Sequence, residues 1–419
     1  MHLETLTEQE IIISLIAIAF LLSGAYIFGN LFERIKAPRV VGEIVGGMFW
    51  GGSCLYFLAP DVVGNVFMAY EQEGKVLNIF YQLGLIFLMF LSGYNTKIEF
   101  NKKNVRNIGC VFVGATILPM AGATPIISLF QEHYIGTLNN DIAFGMVFTI
   151  GVAITSIPVI SKIFFDMGIM NTKFSDTVLT VSTFQDLCLW ILLNAATRIA
   201  STGEVRLLEM LIVVAVTLGL FVVVKLASDH VHTLKKVIRP IDFYTISFSV
   251  LLLMSALLYK VGINIMYSSF LVGYIVKAVA GVDNETRNRM ETLANFMFSF
   301  FIPIYFALVG IQLNVIHDFS LIRFMLFFVI AFGLEAVGTL IVLQFTNLNL
   351  ATKINLAVTM NARGGPGIVL ATVALSYKII SVEFFTVLIL TTMLSSMIAG
   401  YWLRMQQKRD ESIFMNLTK

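Results

Sequence analysis

The sequence is dominated by apolar runs of about 20 residues, each bounded by a short polar segment. A run of that length crosses the hydrocarbon core of a bilayer as a helix. Because 58% of the residues are hydrophobic and only 13% are charged, the composition lies outside that of soluble domains. The sequence therefore predicts an all-α polytopic membrane protein. Its thirteen predicted spans are 10–33, 38–58, 76–95, 105–130, 141–166, 173–198, 206–227, 242–259, 262–281, 290–312, 320–346, 353–377 and 380–403.

The distribution of basic residues predicts the orientation of these spans. If the N-terminus lies outside, most of the 28 Lys and Arg residues fall in cytoplasmic loops. The positive-inside rule requires this asymmetry, and an even number of spans would destroy it. We therefore predict a transmembrane domain over 1–403, with its N-terminus outside, followed by a short cytoplasmic tail over 404–419.

Several segments of the chain resemble each other in the same order, seven spans apart. The paired segments are 87–95 with 304–312, 40–45 with 271–276, and the interrupted runs around Pro158 and Pro366, which are 208 residues apart. Since seven is odd, the two units must cross the membrane in opposite directions. The pattern is typical of the inverted-topology repeats of secondary transporters.

Gly and Pro interrupt the fifth and twelfth spans at their centres, at Thr155-Ser156-Ile157-Pro158 and over 361–367. A helix breaks in lipid only where protein or a water-filled cavity supplies partners for the backbone. Pro158 removes one amide donor, so the freed carbonyls and the hydroxyls of Thr155 and Ser156 suit a monovalent cation. A simple proline kink is the alternative for either break alone. The occurrence of both at repeat-related positions favours an ion site.

A single carboxylate, Asp186, lies near the centre of the sixth span and follows Gln185. A charge at that depth costs roughly 3 kcal/mol, so the residue is a functional candidate. A carboxylate there holds either a proton or a cation, and this competition would couple the two fluxes. The alternative is a structural carboxylate paired with Arg363.

Other polar groups lie in or near the predicted spans. Arg363 and Asn361 lie in the second break, where the arginine either offsets helix-end dipoles or pairs with a carboxylate. Glu335 either pairs with Arg363 or is a second proton carrier. Glu43 either lines a cytoplasmic entrance or caps a helix. No phosphate-binding loop, metal cluster or nucleophile pattern is present, so we expect no enzyme activity, no cofactor, no metal beyond the transported ion and no nucleic-acid partner.

The chain resembles the monovalent cation–proton antiporter-2 family, and most closely its Kef-type potassium/proton branch. The segments that carry the resemblance are 38–47, 83–93, Thr155-Ser156-Ile157-Pro158-Val159-Ile160, Phe184-Gln185-Asp186 and Asn361-Ala362-Arg363-Gly364. The resemblance implies that Asp186 binds the ion and the proton, and Gln185 before it favours potassium. It also implies a homodimer in the lipid bilayer, with scaffold helices over about 10–95 and 206–312. The ion-translocating core, over about 105–198 and 320–403, would contain two crossed broken helices.

We therefore expect a secondary active antiporter of the cell membrane that exchanges K⁺ or Na⁺ for H⁺ by alternating access. The alternatives are a sodium-coupled organic-anion symporter on a similar core, and a membrane sensor or channel-like subunit that does not transport. Sodium and potassium stay open because both bind oxygen ligands. Many electrogenic relatives carry a lysine where Glu335 stands, and we expect one proton per cation. The last predicted span is followed by no nucleotide-binding pattern, so we expect no regulation by nucleotide in cis.

Overall fold

The computed structural model describes residues 5–95, 105–170, 172–203, 211, 213–220, 243–280, 284–409 and 414. In this part of the chain the regular structure is helical, and the only strand-like pairing is an isolated bridge between Ile135 and Ile380. In chain order the helices are α1 (Glu8–Arg34), α2 (Arg39–Trp50), α3 (Leu55–Leu58), α4 (Pro60–Phe67), α5 (Glu71–Asn95), α6 (Val105–Phe112), α7 (Leu118–Ala123), α8 (Ile127–Tyr134), α9 (Asp141–Val152), α10 (Ile157–Asp166), α11 (Lys173–Thr202), α12 (Phe243–Lys260), α13 (Ile265–Ala280), α14 (Asn284–Ser299), α15 (Phe301–Ile311), α16 (Leu321–Leu343), α17 (Leu350–Met360), α18 (Gly364–Ser376) and α19 (Val382–Arg409).

Ten helical segments within the described residues are long and apolar enough to cross a membrane. They are Glu8–Arg34, Arg39–Leu58, Glu73–Asn95, Val105–Tyr134, Asp141–Asp166, Lys173–Thr202, Phe243–Lys260, Arg287–Ile311, Leu321–Leu343 and Val382–Arg409. The predicted span 262–281 is a shorter apolar helix, and 353–377 is divided into α17 and α18. Most of the predicted span 206–227 lies outside the described residues. The polytopic helical class is therefore confirmed, whereas the count of thirteen and the orientation stay predictions.

The chain forms two compact units. The first unit comprises Met1–Ile35, Arg39–Asn95 and Leu211–His317. The second comprises Lys36–Pro38, Thr96–Met210 and Asp318–Lys419. Both interrupted helices, α9–α10 and α17–α18, belong to the second unit, together with α11, α16 and α19.

Two helix pairs in the first unit approach so closely that a Cβ atom would overlap the facing backbone. In the pair of α2 and α15, Gly47 lies against the carbonyl of Ala307, and Gly310 lies against the carbonyl of Ile44. The pair of α5 and α13 makes the same reciprocal contact, in which Gly93 faces the carbonyl of Phe270 and Gly273 faces that of Phe90. In all four helices the glycine follows the contacted residue by three positions. Small residues permit such close helix packing in membranes.

These contacts correct the alignment of one repeated segment. The sequence likeness matches Gly42 with Gly273, but the residue that makes the contact equivalent to that of Gly273 is Gly47. Gly42 instead faces the backbone of Phe28 on α1, where a Cβ would also overlap. Helix α2 carries glycines on two faces, one against α1 and one against α15. The short sequence likeness paired Gly273 with a glycine on the α1 face instead of the one on the α15 face.

The second unit is closed at one end by stacked aromatic rings. Phe148 and Phe384 stack with ring centroids 5.8 Å apart, and Phe384 also stacks on Tyr134 at 4.6 Å. Phe327 of α16 meets Phe384 edge-on at 5.1 Å. The adjoining loops are tied together, because Gly136 donates its amide to the carbonyl of Ile379 at 2.9 Å. This packing joins α8, α9, α16 and α19 to one another.

Candidate ion-binding site

The first break separates α9, which ends at Val152, from α10, which begins at Ile157. Ser156 is the N-cap of α10, and its Oγ accepts the amide of Val159 at 3.4 Å. Pro158 stands in the first turn of α10, where no amide donor is needed. All residues from Val152 to Ser156 are buried. The helix is therefore interrupted in the interior of the unit. The backbone groups that lose their helical bonds must find other partners there.

The second break separates α17, which ends at Met360, from α18, which begins at Gly364. Gly364 has a φ of +41°, a backbone conformation that favours glycine. A Cβ at this position would overlap the side chains of Ser156 and Val159, so the two breaks touch here. Pro366 lacks an amide N–H and therefore leaves the carbonyl of Ala362, four residues earlier, without its helical donor.

Partners of the first break come from the second. In an uninterrupted helix the amide of Ser156 would bond the carbonyl of Val152. Instead Ser156 donates to the carbonyl of Ala362 at 2.6 Å, which is the carbonyl that Pro366 leaves free. The carbonyl of Val152 accepts Nη2 of Arg363 at 2.9 Å.

Partners of the second break follow the same scheme. An uninterrupted helix would join the amide of Gly364 to the carbonyl of Met360. Here Gly364 donates its amide to Oγ of Ser396 on α19 at 3.0 Å. The carbonyl of Met360 accepts the hydroxyl of Thr155 at 2.6 Å. Each break thus supplies a side chain that caps the last carbonyl of the other half-helix.

The two capping side chains occupy equivalent positions in the repeat. Thr155 and Arg363 are separated by the same 208 residues as Pro158 and Pro366, and so are the carbonyls of Val152 and Met360 that they cap. The exchange of caps is therefore symmetric in the backbone. Its chemistry is not symmetric, because one cap is a neutral hydroxyl and the other a guanidinium.

Glu335 on α16 contacts both capping side chains. Its Oε2 forms an ion pair with Nη2 of Arg363 at 2.9 Å, and its Oε1 lies 3.3 Å from the hydroxyl of Thr155. Thr155 has one hydroxyl proton, and it donates this proton to the carbonyl of Met360, which is the closer of the two acceptors. The side chains of Glu335 and Arg363 are 0% and 1% exposed. The two alternatives for Arg363 occur together, because the guanidinium pairs with Glu335 and also bonds the last carbonyl of α9. The ion pair neutralises both charges in the interior.

Gln185 on α11 serves two backbone carbonyls that lack helical donors. Its Nε2 donates to the carbonyl of Ala115 at 3.2 Å and also to the carbonyl of Ala153 in the first break. Ala115 lies in a π-helical turn, Val113–Ile117. The residue four positions later, which would be its donor in an α-helix, is Pro119 and has no amide N–H. The side-chain oxygen Oε1 of Gln185 has no partner among the described residues.

Asp186 is 1% exposed, and neither of its carboxylate oxygens has a hydrogen-bond partner within the described part of the chain. One turn earlier on α11, the hydroxyl of Ser182 is also buried and without a partner in the described ranges. A buried polar group that makes no hydrogen bond costs roughly 1–3 kcal/mol, and more when it is charged. The sequence alternative in which Asp186 pairs with Arg363 is not what the structure has. This carboxylate is chemically suited to a proton or a cation.

The remaining predicted residues are placed as follows. Asn361 lies in the second break, where its Nδ2 donates to the carbonyl of Ala357 at 3.0 Å and its Oδ1 lies 3.4 Å from Arg363. Glu43 belongs to the first unit, and its Oε1 accepts Nε of Arg39 at 2.9 Å. It is the fifth residue of α2 and forms an ion pair within the helix, so it does not cap that helix.

Two contributors were missed from the sequence. Ser396 satisfies the amide of Gly364, but it is one of several hydroxyl residues on α19 and nothing marks it out. The carbonyl of Ala115 had a readable signal in Pro119, which lies within a predicted span. No group of three or more His, Cys, Asp or Glu side chains that could hold a metal ion occurs among the described residues.

Apolar helices that span a membrane, two of them interrupted where they meet, define the broken-helix class of secondary transporters. The profile of the family described as sodium/hydrogen exchanger, transmembrane, matches residues 17–406. The chain therefore belongs to the sodium/hydrogen exchanger family, and it is a multi-pass integral protein of the cell membrane. The resemblance to the monovalent cation–proton antiporters is confirmed, and the family consists of transporters rather than enzymes.

Curated relatives are similar over most of the chain. The probable Na⁺/H⁺ antiporter GerT of Bacillus cereus is 23% identical over 376 residues, which is 86% of this chain and 91% of the relative. The Na⁺/H⁺ antiporter NhaS4 of Synechocystis is 24% identical over 411 residues, covering 94% and 96% of the two chains. K⁺/H⁺ antiporter 1 of Saccharomyces cerevisiae is 24% identical over 88% of this chain, which spans 43% of that protein.

Among solved structures, the sodium proton antiporter MjNhaP1 of Methanocaldococcus jannaschii has a similar fold. The TM-score is 0.67, and the superposition covers 97% of this chain and 99% of that one. Sequence identity is 16%, so the likeness concerns the fold alone.

Proposed function

We propose that the protein is a secondary active antiporter that exchanges a monovalent cation, K⁺ or Na⁺, for H⁺. The observation that carries this proposal is the buried carboxylate of Asp186, which has no hydrogen-bond partner among the described residues. It lies next to Gln185, which bonds the first break. The names of relatives that cover most of the chain, which include Na⁺/H⁺ antiporters and a Na⁺/H⁺-K⁺ antiporter, support it.

Asp186 is the proposed binding group for both ions. When ionised it holds the cation, and when protonated it releases it, so one carboxylate cannot carry both at once. Oxygen atoms of Thr155, Ser156 and the neighbouring carbonyls complete the proposed coordination. Because Nε2 of Gln185 is engaged by two backbone carbonyls, only its Oε1 can face the cation. One proton is exchanged for each cation in this scheme.

In the proposed transport cycle the second unit carries the ion and the first serves as the scaffold through which two copies of the chain dimerise. The compactness of the two units, each with its own close helix packing, supports this division. We propose thirteen spans with the N-terminus outside, and alternating access of Asp186 to the two sides of the membrane. Glu335 and Arg363 support the breaks, and Glu43 lies on the cytoplasmic approach of the cation.

A neutralised variant of Asp186 tests the proposal directly. Asp186→Asn in proteoliposomes is expected to abolish cation-driven proton flux. An amide does not take up a proton, and it has no negative charge that attracts a cation. Asp176→Asn is the matched control, since Asp176 is an exposed acid in the first turn of the same helix. Normal exchange in Asp186→Asn, with both variants folded and inserted, would contradict the mechanism.

A series of alkali cations tests the choice of ion. We expect proton flux with K⁺ and Na⁺ that differs in half-saturating concentration, and Gln185 before the carboxylate favours K⁺ as the preferred ion. The second candidate, a sodium-coupled organic-anion symporter, predicts substrate uptake that needs Na⁺ and no pH gradient. The antiporter relatives do not favour it.

A further inference from the structure

Lys353 on α17 is a buried cation that has no counter-ion among the described residues. The residue is 8% exposed, and its Nζ lies 3.4 Å from the neutral oxygen Oε1 of Gln344. Within the described ranges no carboxylate lies within 4.0 Å of the ammonium. The sequence between Glu335 and Glu383 contains no Asp or Glu. A lysine near a helix end normally extends its side chain into water, whereas most of Lys353 is buried.

The position of Lys353 on α17 also favours a nearby anion. The helix begins at Leu350, so Lys353 lies in its first turn, where the partial charge of the helix is positive. The side chain of Asn349 caps the amide of Thr352 at 2.7 Å. The hydroxyl of Thr352 is buried and has no partner in the described part of the chain. An anion at this helix end would relieve the charge of Lys353 and also accept a bond from Thr352.

A second cation reaches the same short segment. Arg106, at the start of α6, donates Nη2 to the carbonyl of Phe345, which is the residue after Gln344. Arg106 also has no carboxylate within ion-pair distance among the described residues. Phe345 and Leu350 beside these cations are 68% and 66% exposed. The surface thus combines exposed apolar side chains with two cations that have no ion-pair partner within the described ranges.

We propose that Lys353 and Arg106 bind the phosphate of an anionic phospholipid. The phosphate oxygens accept bonds from the ammonium, the guanidinium and the Thr352 hydroxyl, while an acyl chain packs on Phe345 and Leu350. A free phosphate ion offers the same acceptors but leaves those two apolar side chains uncovered, and this difference favours a lipid. Basic pockets between transmembrane helices bind such headgroups.

Delipidated protein in detergent, titrated with phosphatidylglycerol or with phosphatidylcholine, tests the site. Native mass spectrometry and the midpoint of thermal unfolding report binding. We expect phosphatidylglycerol to bind and stabilise the wild type more than phosphatidylcholine does. Lys353→Gln and Arg106→Gln should each weaken this binding about fivefold, and the double variant about twentyfold or more.

Three controls separate the alternatives. Lys353→Arg keeps the charge and should keep the preference for anionic lipid. Lys162→Gln removes a cation that is already paired with Asp166 at 2.9 Å and should change nothing. Inorganic phosphate should not compete at millimolar concentration, and full competition would assign the site to free phosphate and overturn the lipid proposal. Equal affinity for both lipids in the wild type, or unchanged affinity in Arg106→Gln, would also overturn it, and neither result bears on antiport.

Discussion

The two breaks of the second unit solve one backbone problem with different side chains. In each, a half-helix ends with a carbonyl that a residue of the other break caps, and the next half-helix begins with an amide that bonds outside its own helix. The caps are Thr155 on one side and Arg363 on the other. The repeat thus conserves where donors and acceptors must lie, while the side chains at equivalent positions differ in length and charge.

This difference has an electrostatic consequence. A guanidinium at the end of α9 opposes the negative end of that helix with a full charge, whereas the end of α17 receives only a hydroxyl. A buried guanidinium requires a counter-ion, and Glu335 provides it at 2.9 Å. Because Arg363 is paired in this way, it does not serve as a counter-ion for Asp186.

Removing the charged cap should have the largest effect. Arg363→Ala leaves Glu335 buried without a counter-ion and the carbonyl of Val152 without a donor, so we expect a loss of about 3–5 kcal/mol in the free energy of unfolding. Unfolding in detergent micelles measures it. The double variant Glu335→Gln, Arg363→Gln contains no buried charge at this place and should recover part of the loss. If the double variant is less stable than Arg363→Ala, the ion pair is not the reason.

The second largest effect should come from the equivalent positions Ser156 and Gly364. Gly364→Ala combines a positive φ with overlap against Ser156, and we expect it to cost about 2–3 kcal/mol. Ser156→Ala removes only an N-cap, which costs about 1 kcal/mol. Adding Ser156→Gly to Gly364→Ala removes part of the overlap and should restore part of the stability. If Gly364→Ala and Ser156→Ala lose the same free energy of unfolding, the positive φ and the overlap at Gly364 do not distinguish the two positions.

The locations of the breaks could be predicted because the reasons are local. Pro158 and Pro366 remove amide donors whatever surrounds them, and Asp186 is costly in lipid wherever its helix packs. The partners could not be predicted in the same way. The bond from Ser156 to Ala362 joins segments about 200 residues apart, and it exists only because the two interrupted helices meet.

The glycines of the first unit show the same limit. Helix α2 carries glycines against α1 and against α15, so a short apolar likeness cannot decide which of them is repeated in α13. The facing backbone decides it, and it selects Gly47 over Gly42. The Gln185 side chain is a third case. Pro119 indicates that the α-helical donor of the Ala115 carbonyl is absent, but the sequence does not show that Gln185 of another helix bonds this carbonyl.

The neutral cap should contribute less than the charged one. Thr155→Val keeps the shape of the side chain and removes the hydroxyl that bonds Met360, so the buried carbonyl loses its donor. We expect a loss of about 1–2 kcal/mol in the free energy of unfolding. Thr155→Ser keeps the hydroxyl and should therefore retain most of the wild-type stability. A loss in Thr155→Val as large as that in Arg363→Ala would contradict the view that charge distinguishes the two caps.

The smallest effect should come from Ser396, which receives the amide of Gly364 from outside both breaks. Ser396→Ala leaves that buried amide without its acceptor at 3.0 Å, and we expect a loss of about 1 kcal/mol. Ser395→Ala is the matched control, since the Ser395 hydroxyl bonds the carbonyl of Thr392 within its own helix at 3.3 Å. It should cost less than Ser396→Ala, because it leaves no buried amide without its acceptor. The corresponding amide in the first break, that of Ser156, bonds the backbone carbonyl of Ala362, which no side-chain substitution removes. If Ser396→Ala leaves the free energy of unfolding unchanged, the amide of Gly364 must find another acceptor. The second break would then be the more adaptable of the two.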